Sequence, residues 1–353
     1  MSESINILVA PLNWGLGHAT RCIPIIRTLQ QEGYTVIIAS DGEALTLLDK
    51  EFPELSKVSL PSYDIEYAKK KQHFKRKMIS SIPKISRAIR KEHKALKQII
   101  ATYNIKGVIS DNRLGLYTSK IPTIFITHQL QILSGKTTAT TTFLHKRFIK
   151  RFNECWVPDY MGSSNLSGIL GHPTKGNYNV NYIGPLSRMK KRTLQQRYDV
   201  LVVLSGPEPQ KSILEAILLK ELKKYNGSVL FIQGRIKEEE QRSTQKNIEI
   251  VNFLTSEKLS EAINSAGFII ARSGYTTIMD LAALQKKAFF IPTPGQTEQE
   301  YLAQRLKEKG IAPYSSQDTF KVKDLTKIEV YSGFNKPQET IDLKKFFGLF
   351  KSE

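Results

Sequence analysis

Short runs of apolar, β-branched residues alternate along the chain with stretches of helical periodicity. Several runs are continuously apolar, which is typical of parallel strands covered by helices on both faces. The intervening stretches predict helices at Arg21–Glu32, Lys211–Lys224 and Thr276–Leu284. This alternation predicts an α/β fold. The predicted strands are Ile5–Ala10, Thr35–Ala39, Gly107–Ser110, Thr123–Thr127, Val200–Ser205, Val229–Gln233, Phe268–Ala271 and Ala288–Ile291.

The length of the chain and one polar interruption predict two domains. At roughly 150 residues per domain, 353 residues suggest about two, each with its own core. The polar run Met189–Arg197 separates the two sets of strands and predicts a boundary near Ser187. We therefore predict domains at 1–187 and 188–335 and a tail helix at 336–353. Both domains are predicted to be Rossmann-like and doubly wound, facing each other across a cleft where ligands bind at the carboxyl ends of the strands.

Composition narrows the class of protein. The two cysteines, Cys22 and Cys155, are too few for a disulfide framework or a four-thiolate zinc site. The first residues lack the basic region of a signal peptide, and no segment reaches the roughly 18–20 apolar residues of a spanning helix. These features predict a cytoplasmic protein.

The positive charge is concentrated in one segment. The net charge is +19, and residues 69–97 hold 12 basic residues against Glu92 alone. Such a block suits nucleic acid, anionic lipid or a phosphorylated acceptor. From Pro83 onward, Ile85, Ile89 and Leu96 keep helical spacing, so a core-packed helix with a solvated basic face is the simpler alternative. Nucleic acid is disfavoured, because no stacking aromatics interleave the block and no reader motif is present.

The loop after the first predicted strand contains Gly15-Leu16-Gly17-His18. Glycines let the backbone approach a ligand, and the following helix N-terminus offers N–H groups to an anion. With Asp41 the loop forms a partial dinucleotide-binding fingerprint, but Thr20 stands where the third glycine belongs. An imidazole in this loop could act as a general base, or it could simply cap or pack the turn.

Two loops in the second half carry polar side chains suited to a sugar nucleotide. Ser273 and Gly274 precede a predicted helix and leave room for a phosphate, although plain helix capping is the alternative. Asp280, one turn further, could accept from a ribose diol or be a solvated helix residue. In the next loop, Gln299 and Glu300 offer an amide and a carboxylate to sugar hydroxyls.

Taken together, these loops resemble the MurG-like glycosyltransferases of family 28, which have the GT-B fold. The residues that carry the resemblance are Gly15–His18, Arg272–Asp280 and Pro294–Glu300. The resemblance implies that the C-terminal domain holds a UDP-sugar and that the N-terminal domain binds the acceptor. Glu300 departs from the glutamine common in the family. The nucleotide-sugar contacts that the resemblance implies are Ser205, Gly206, Leu254, Ser273, Gly274, Thr277, Asp280, Gln299 and Glu300.

The resemblance also implies the chemistry. It predicts inverting transfer of a hexose or N-acetylhexosamine to an acceptor hydroxyl, with His18 as the leading base and Asp111 as a second catalytic candidate. Gly15, Gly17 and His128 are predicted acceptor contacts. No cofactor is predicted, and no metal, because the chain has no Asp-x-Asp motif.

Two other functions stay open. The segment Gly15–Arg21 is also similar to the start of the UDP-sugar hydrolases of the pseudaminic acid pathway, in which water is the acceptor. A non-catalytic sugar-nucleotide sensor or membrane-bound scaffold would keep the C-terminal loops without needing His18. The basic block favours transfer to a lipid-linked acceptor, with residues 69–97 on the anionic inner face of the cytoplasmic membrane.

Overall fold

The computed structural model describes residues 5–63, 71–174, 179–235, 239–335 and 341–351. The chain divides into two compact units near residue 187. The first unit contains most of the described residues up to 186 together with the tail, and the second contains those from 187 to 335. No helix in the described residues is long and apolar enough to cross a membrane.

The first unit is built on a seven-stranded parallel sheet. Its strand order is β3-β2-β1-β4-β5-β6-β7, and every neighbouring pair is parallel. The elements are β1 (Asn6–Pro11), α1 (Gly17–Gln31), β2 (Thr35–Ser40), α2 (Gly42–Glu51), β3 (Ser56–Ser59), α3 (Lys71–Tyr103), β4 (Ile105–Asp111), β5 (Thr123–Ile126), α4 (Thr138–Ile149), β6 (Glu154–Val157) and β7 (Val180–Tyr182).

The second unit is built on a six-stranded sheet in the order β10-β11-β9-β8-β12-β13. All pairs are parallel except β10 with β11. The elements are β8 (Tyr198–Val203), α5 (Gln210–Leu222), β9 (Val229–Ile232), β10 (Arg242–Gln245), β11 (Ile248–Val251), α6 (Ser256–Asn264), β12 (Ala266–Ala271), α7 (Tyr275–Ala283), β13 (Lys287–Phe290) and α8 (Thr297–Glu308).

The central strands are apolar because helices cover both faces of each sheet. Ile7, Leu8 and Val9 of β1 are fully buried, as are Val200 and Leu201 of β8. Burying one such side chain contributes about 1.5–3 kcal/mol, so a continuous apolar run stabilises a central position in the sheet. The predicted α/β class with two doubly wound domains is confirmed, and the eight predicted strands are present with ends shifted by one to two residues.

The tail packs on the first unit. Leu343–Phe350 forms a 3-10 helix, whereas the tail was predicted as a separate amphipathic helix at 336–353, of which residues 336–340 lie outside the described part. Phe347 and Phe350 are buried and meet the ring of Tyr34 edge-on. A Cβ on Gly107 would lie 2.4 Å from Phe350, so the glycine admits this ring to the side of β4.

Candidate active site

The strand order reverses at one point in each sheet. In the first sheet the reversal falls between β1 and β4, and in the second between β8 and β12. Ligands of open α/β sheets bind outside the carboxyl ends of the strands at such a point. The loops that start there carry predicted site residues: His18 follows β1, Asp111 ends β4, Gly206 follows β8 and Ser273 follows β12.

The glycine loop delivers His18 to the carboxyl end of β1. Gly15 has a φ of +76°, in the left-handed region that favours glycine, and α1 begins two residues later at Gly17. Leu16 at the N-cap offers no side-chain acceptor to the first turn of α1. His18 therefore lies in the first turn of a helix, with its side chain 13% exposed.

His18 and Asp111 form a hydrogen-bonded pair, although 93 positions separate them. The distance from Nδ1 of His18 to Oδ1 of Asp111 is 2.8 Å, and the carboxylate is fully buried. Arg21, one turn along α1 and 1% exposed, donates from Nε and Nη2 to both carboxylate oxygens. The two predicted catalytic residues are thus brought together by the first unit.

The arrangement selects one tautomer of His18. Arg21 holds the pKa of Asp111 at about 2, against the opposing effect of burial and with help from His18, so the carboxylate is ionised and can only accept. An unprotonated Nδ1 at 2.8 Å would face that carboxylate lone pair to lone pair. Nδ1 therefore carries the proton and donates to Asp111. The other nitrogen, Nε2, then has a lone pair, and no described residue hydrogen-bonds to it.

The surroundings also keep His18 uncharged. Burial and the adjacent Arg21 lower its pKa, and these effects outweigh the opposing influence of Asp111. The imidazole is therefore in its basic form at neutral pH. A neutral ring with a fixed Nδ1–H and a lone pair on Nε2 is suited to accept a proton from a hydroxyl.

His128, a predicted acceptor contact, belongs to the same cluster. It follows β5, is 6% exposed and lies with Nδ1 at 3.1 Å from Nη1 of Arg21. Cys22 adds a thiol at 3.7 Å from Oδ2 of Asp111, and burial raises the pKa of that thiol well above its usual range. The first unit thus gathers two imidazoles around one arginine–carboxylate pair.

In the second unit, α7 begins directly after the Ser273-Gly274 pair. Gly274 is the N-cap, and a Cβ built on it would have no neighbour within 4 Å among the described residues. Thr277 is half-buried in the first turn, whereas the fully buried hydroxyl of Ser273 donates to the carbonyl of Gln299 at 2.8 Å. A helix N-terminus with open space beside its glycine can take an anion.

The loops after β8 and β13 approach each other. Gly206 has a φ of +105°, and a Cβ on it would lie 3.8 Å from Oγ1 of Thr293. That hydroxyl is buried and has no hydrogen-bond partner among the described residues. Gln299 accepts from the backbone N–H of Thr293 at 2.8 Å, and Glu300 accepts from that of Gly295 at 3.0 Å. The predicted sugar-contacting pair therefore also shapes its own loop.

Asp280 has a different setting from the other predicted donor residues. Its Oδ1 accepts from the hydroxyl of Ser187 at 2.7 Å. Burial raises its pKa to about 6, although Arg188 and Ser187 oppose the increase. The described hydrogen bonds of Asp280 thus run to the start of the second unit and do not join the cluster of Ser273 and Gln299.

Ser205 and Leu254 complete the predicted donor set. Ser205 is exposed just beyond β8, and Leu254 is half-buried between β11 and α6. Both lie beyond the carboxyl ends of their strands, the edge from which the other predicted donor loops also extend.

Sequence reasoning missed three residues that organise these loops. Arg21 stands at i+3 from His18, a spacing that places both on one face of α1. Buried Arg272 donates to the carbonyls of Ile291, Pro292 and Gln210 and to the side chain of Gln317. Thr293 carries the buried hydroxyl beside Gly206. The available signal for Arg21 was its spacing from His18. The signal for Arg272 was a charged residue directly after an apolar strand.

Comparison with known proteins agrees with the predicted resemblance. Residues 200–344, less than half of the chain, match the glycosyltransferase family 28 C-terminal domain. A similar curated protein, the UDP-N-acetylglucosamine–N-acetylmuramyl-(pentapeptide) pyrophosphoryl-undecaprenol N-acetylglucosamine transferase of Buchnera aphidicola subsp. Schizaphis graminum, is 26% identical over 241 residues. That match covers 67% of this chain and 64% of the relative, less than two thirds of its length.

Solved structures share the fold over nearly the whole chain. The glycotransferase of kitacinnamycin has a TM-score of 0.64 at 16% identity, covering 99% of this chain and 97% of its own. MurG of Acinetobacter baumannii has a TM-score of 0.54 at 15% identity, covering 94% of each chain. The resemblance to MurG-like family 28 glycosyltransferases with the GT-B fold is confirmed: relatives and structural neighbours are glycosyltransferases.

Proposed function

We propose that this protein is a glycosyltransferase that moves a hexose or N-acetylhexosamine from a UDP-sugar to a hydroxyl of a lipid-linked or membrane-near acceptor. The observation that carries the proposal is the hydrogen bond between His18 and Asp111 at the carboxyl ends of β1 and β4. The match of residues 200–344 to the family 28 C-terminal domain supports a nucleotide-sugar donor. The name of the Buchnera relative, which includes UDP-N-acetylglucosamine and an undecaprenol, supports a UDP-sugar and a lipid-linked acceptor.

In the proposed reaction His18 is the general base. Its Nε2 takes the proton of the acceptor hydroxyl, whose oxygen forms a bond to the anomeric carbon while the bond from that carbon to UDP breaks. The electron pair of the broken bond leaves on the β-phosphate of UDP. A single displacement of this kind inverts the anomeric centre. Asp111 holds the ring by its Nδ1 and stabilises the imidazolium that forms.

The second unit is proposed to hold the donor. The N–H groups at the start of α7 and the open space at Gly274 would receive the diphosphate and stabilise the leaving group. Ser205, Gly206 and Thr277 would add to that region, and Leu254 would contact the nucleotide. Gln299 and Glu300 would contact the sugar and Asp280 the ribose. Because helix N–H groups can stabilise the leaving group and the chain has no Asp-x-Asp motif, we propose metal-independent transfer.

The test is UDP release from candidate UDP-hexoses, measured with and without a lipid-linked acceptor. A transferase releases UDP only with the acceptor, a hydrolase releases it without one, and a sensor releases none. His18→Ala should lower the rate by ~10²–10⁴-fold, because it removes the general base. UDP binding measured by calorimetry should stay unchanged in that variant. Full turnover by His18→Ala would eliminate His18 as the base.

We also propose that the first unit binds an anionic membrane surface from the cytoplasmic side. The predicted contact, residues 69–97, extends outside the described residues at 69–70. In the part of α3 from 83 to 97, the basic side chains are exposed, and Glu92, the sole acid, is buried. Its carboxylate accepts from Arg113 at 2.7 Å. The outer face of this part of α3 is therefore positive.

The neighbouring helix α4 adds apolar side chains to this surface. Phe143 is 59% exposed and Leu144 51%. Phe148 of α4 packs in the same apolar cluster as Ile89 of α3, so the two helices are neighbours. Exposed aromatic and aliphatic groups beside a basic face are typical of interfacial membrane binding.

Flotation of the full-length protein with vesicles tests the membrane proposal. We expect binding to vesicles with phosphatidylglycerol and little to pure phosphatidylcholine, with loss of binding at high salt. Changing Lys84, Arg87 and Lys91 to Gln should weaken binding by about a hundredfold, at about 1 kcal/mol per charge. The matched control changes Lys220, Lys223 and Lys307 in the second unit to Gln. Equal flotation with both lipids would contradict the proposal.

A further inference from the structure

Arg21 has no part in the proposed reaction, yet it lies at the centre of the candidate base. Its Nη2 is 2.9 Å from Nδ1 of His18, its Nε and Nη2 donate to Asp111, and its Nη1 is 3.1 Å from Nδ1 of His128. A guanidinium has five N–H donors in a rigid plane, cannot accept a hydrogen bond and stays protonated in proteins. Each nitrogen or oxygen that faces Arg21 must therefore accept a hydrogen bond from it or donate its own proton to another acceptor.

The titratable groups that face His18 and His128 come from four elements. Arg21 and Cys22 share α1 with His18, Asp111 ends β4, His128 follows β5, and His145 of α4 interacts with His128. They comprise one cation, one carboxylate, two further imidazoles and a thiol that is protonated at neutral pH. The arginine and the carboxylate cancel, so the cluster is close to neutral when the imidazoles are neutral.

We propose that Arg21 is a positioning residue that fixes the tautomer of His128, so that this ring carries its proton on Nε2, opposite to His18, whose Nδ1 proton is held by Asp111. The inference deepens the proposed function and rests on it for its catalytic meaning. Its structural content rests on the contacts of Arg21 and Asp111.

The two tautomers follow from which neighbouring groups donate hydrogen bonds and which accept them. Nδ1 of His18 faces an ionised carboxylate, so it holds a proton and gives it to Asp111. Nη2 of Arg21, 2.9 Å from the same nitrogen, donates to the same carboxylate oxygen, so that oxygen accepts from both groups. Nδ1 of His128 faces Nη1 of Arg21, which only donates, so this nitrogen accepts and the proton of the ring lies on Nε2.

The consequence for catalysis is a division of roles between the two rings. His18 offers a lone pair on Nε2 to the hydroxyl that must lose its proton, whereas His128 already carries a proton on Nε2 and cannot remove one there. The positive charge of Arg21 also opposes protonation of His18, which an unneutralised carboxylate would favour. Arg21 thus leaves His18 as the ring that can act as the base.

The tautomers can be measured without any activity. We would record long-range ¹H–¹⁵N spectra of the full chain at pH 7.5 with ¹⁵N-labelled histidine, assigning the rings with His18→Gln and His128→Gln. The expected result is a protonated Nδ1 in His18 and a protonated Nε2 in His128. A protonated Nδ1 in His128, or a bare Nδ1 in His18, would overturn the proposal.

Two variants separate the charge of Arg21 from its geometry. In Arg21→Gln the dyad of His18 and Asp111 should take up its proton at a pH higher by about one unit or more, because the nearby cation is lost. In Arg21→Lys that midpoint should stay near the wild-type value, while His128 shows a mixture of tautomers. Arg27→Gln, which removes a half-exposed arginine from the same helix, is the control and should change neither ring.

If Arg21→Gln does not fold, the double variant Arg21→Gln/Asp111→Asn removes both buried charges and tests the same point. His128 should lose its tautomer preference in it, and an unchanged preference would refute the role of Arg21. Assays of UDP release separate the two proposals. Absent turnover with the expected tautomers defeats the transferase proposal alone, whereas normal turnover with inverted tautomers defeats only the role of Arg21.

Discussion

The candidate base in the first unit and the candidate donor region in the second are stabilised by opposite means. In the first, the buried cation Arg21 meets the buried anion Asp111, and two imidazoles complete the cluster. In the second, the buried cation Arg272 donates to four neutral oxygens, those of Ile291, Pro292, Gln210 and Gln317. The two regions therefore differ in whether the described partners of the buried arginine include a carboxylate.

That difference suits the two proposed tasks. A histidine that acts as the base must be neutral before the reaction and is an imidazolium after it. Its surroundings therefore need an anion whose charge is already balanced by a cation. A diphosphate site needs the reverse, because an uncompensated cation and helix N–H groups favour negative charge. Burial lowers the pKa of Arg272 to about 10, which still leaves the guanidinium charged at neutral pH. The charge of Arg272 therefore lies beside the loop after β13, which we propose contacts the donor.

The largest expected effect comes from breaking the charge balance of the first unit. Asp111→Asn preserves shape but leaves Arg21 without its anion and His18 without its acceptor. Breaking a buried ion pair costs about 3–5 kcal/mol, and the loss of a fixed base should lower kcat by ~10³-fold. The unfolding free energy from denaturant titration and the rate of UDP release measure the two effects.

Asp111→Asn should leave the binding of UDP unchanged. UDP affinity should stay within about twofold of wild type, because the proposed donor residues belong to the other unit and none of them is a described hydrogen-bond partner of Asp111. The variant should also lose the stability decline that wild type shows as the pH falls from about 4 towards 2, since the pKa of Asp111 is depressed to about 2 when folded. A variant that keeps its turnover would refute the role of the carboxylate.

The sequence was sufficient for the central strands but not for the sheet edges. β1 and β8 are apolar because two layers of helices cover them, and that burial leaves a local pattern. Edge strands β3 and β10 have the sequences Ser56-Lys-Val-Ser59 and Arg242-Ser-Thr-Gln245, with little apolar signal. Their pairing partners define them, and pairing between distant segments leaves no local pattern.

The same limit applies to the candidate site. His18 was predicted because glycines and a helix start surround it in the sequence, and Asp111 because it ends an apolar run. Arg21 was missed because its significance depends on Asp111, 90 positions away, and on His128, 107 positions away. Thr293 was missed because an unpartnered hydroxyl is recognisable only after the surrounding packing is known.

Removing the charge of Asp280 in the second unit should have a smaller effect. It should raise the free energy of unfolding, whereas Asp111→Asn should lower it. The pKa of Asp280 rises from 3.8 to about 6 on folding, so its ionisation opposes folding above that pH. The wild-type unfolding free energy should therefore fall as the pH increases from about 4 to 6. Asp280→Asn should abolish that slope and be more stable at pH 7.5 by up to about 3 kcal/mol.

The gain in stability should come with a loss of donor binding. If Asp280 accepts from the ribose of the donor, Asp280→Asn should bind UDP about tenfold more weakly at pH 7.5, since hydrogen bonds to charged groups contribute about 1.5–3 kcal/mol. Calorimetry measures that affinity, and the exposed Asp318→Asn in the same unit is the control with neither effect. A variant that becomes more stable and binds UDP as before would remove Asp280 from the donor site. Asp111→Asn should instead lose stability together with turnover, because Arg21 and His18 together outweigh the burial of Asp111, whereas burial outweighs the effect of Arg188 on Asp280.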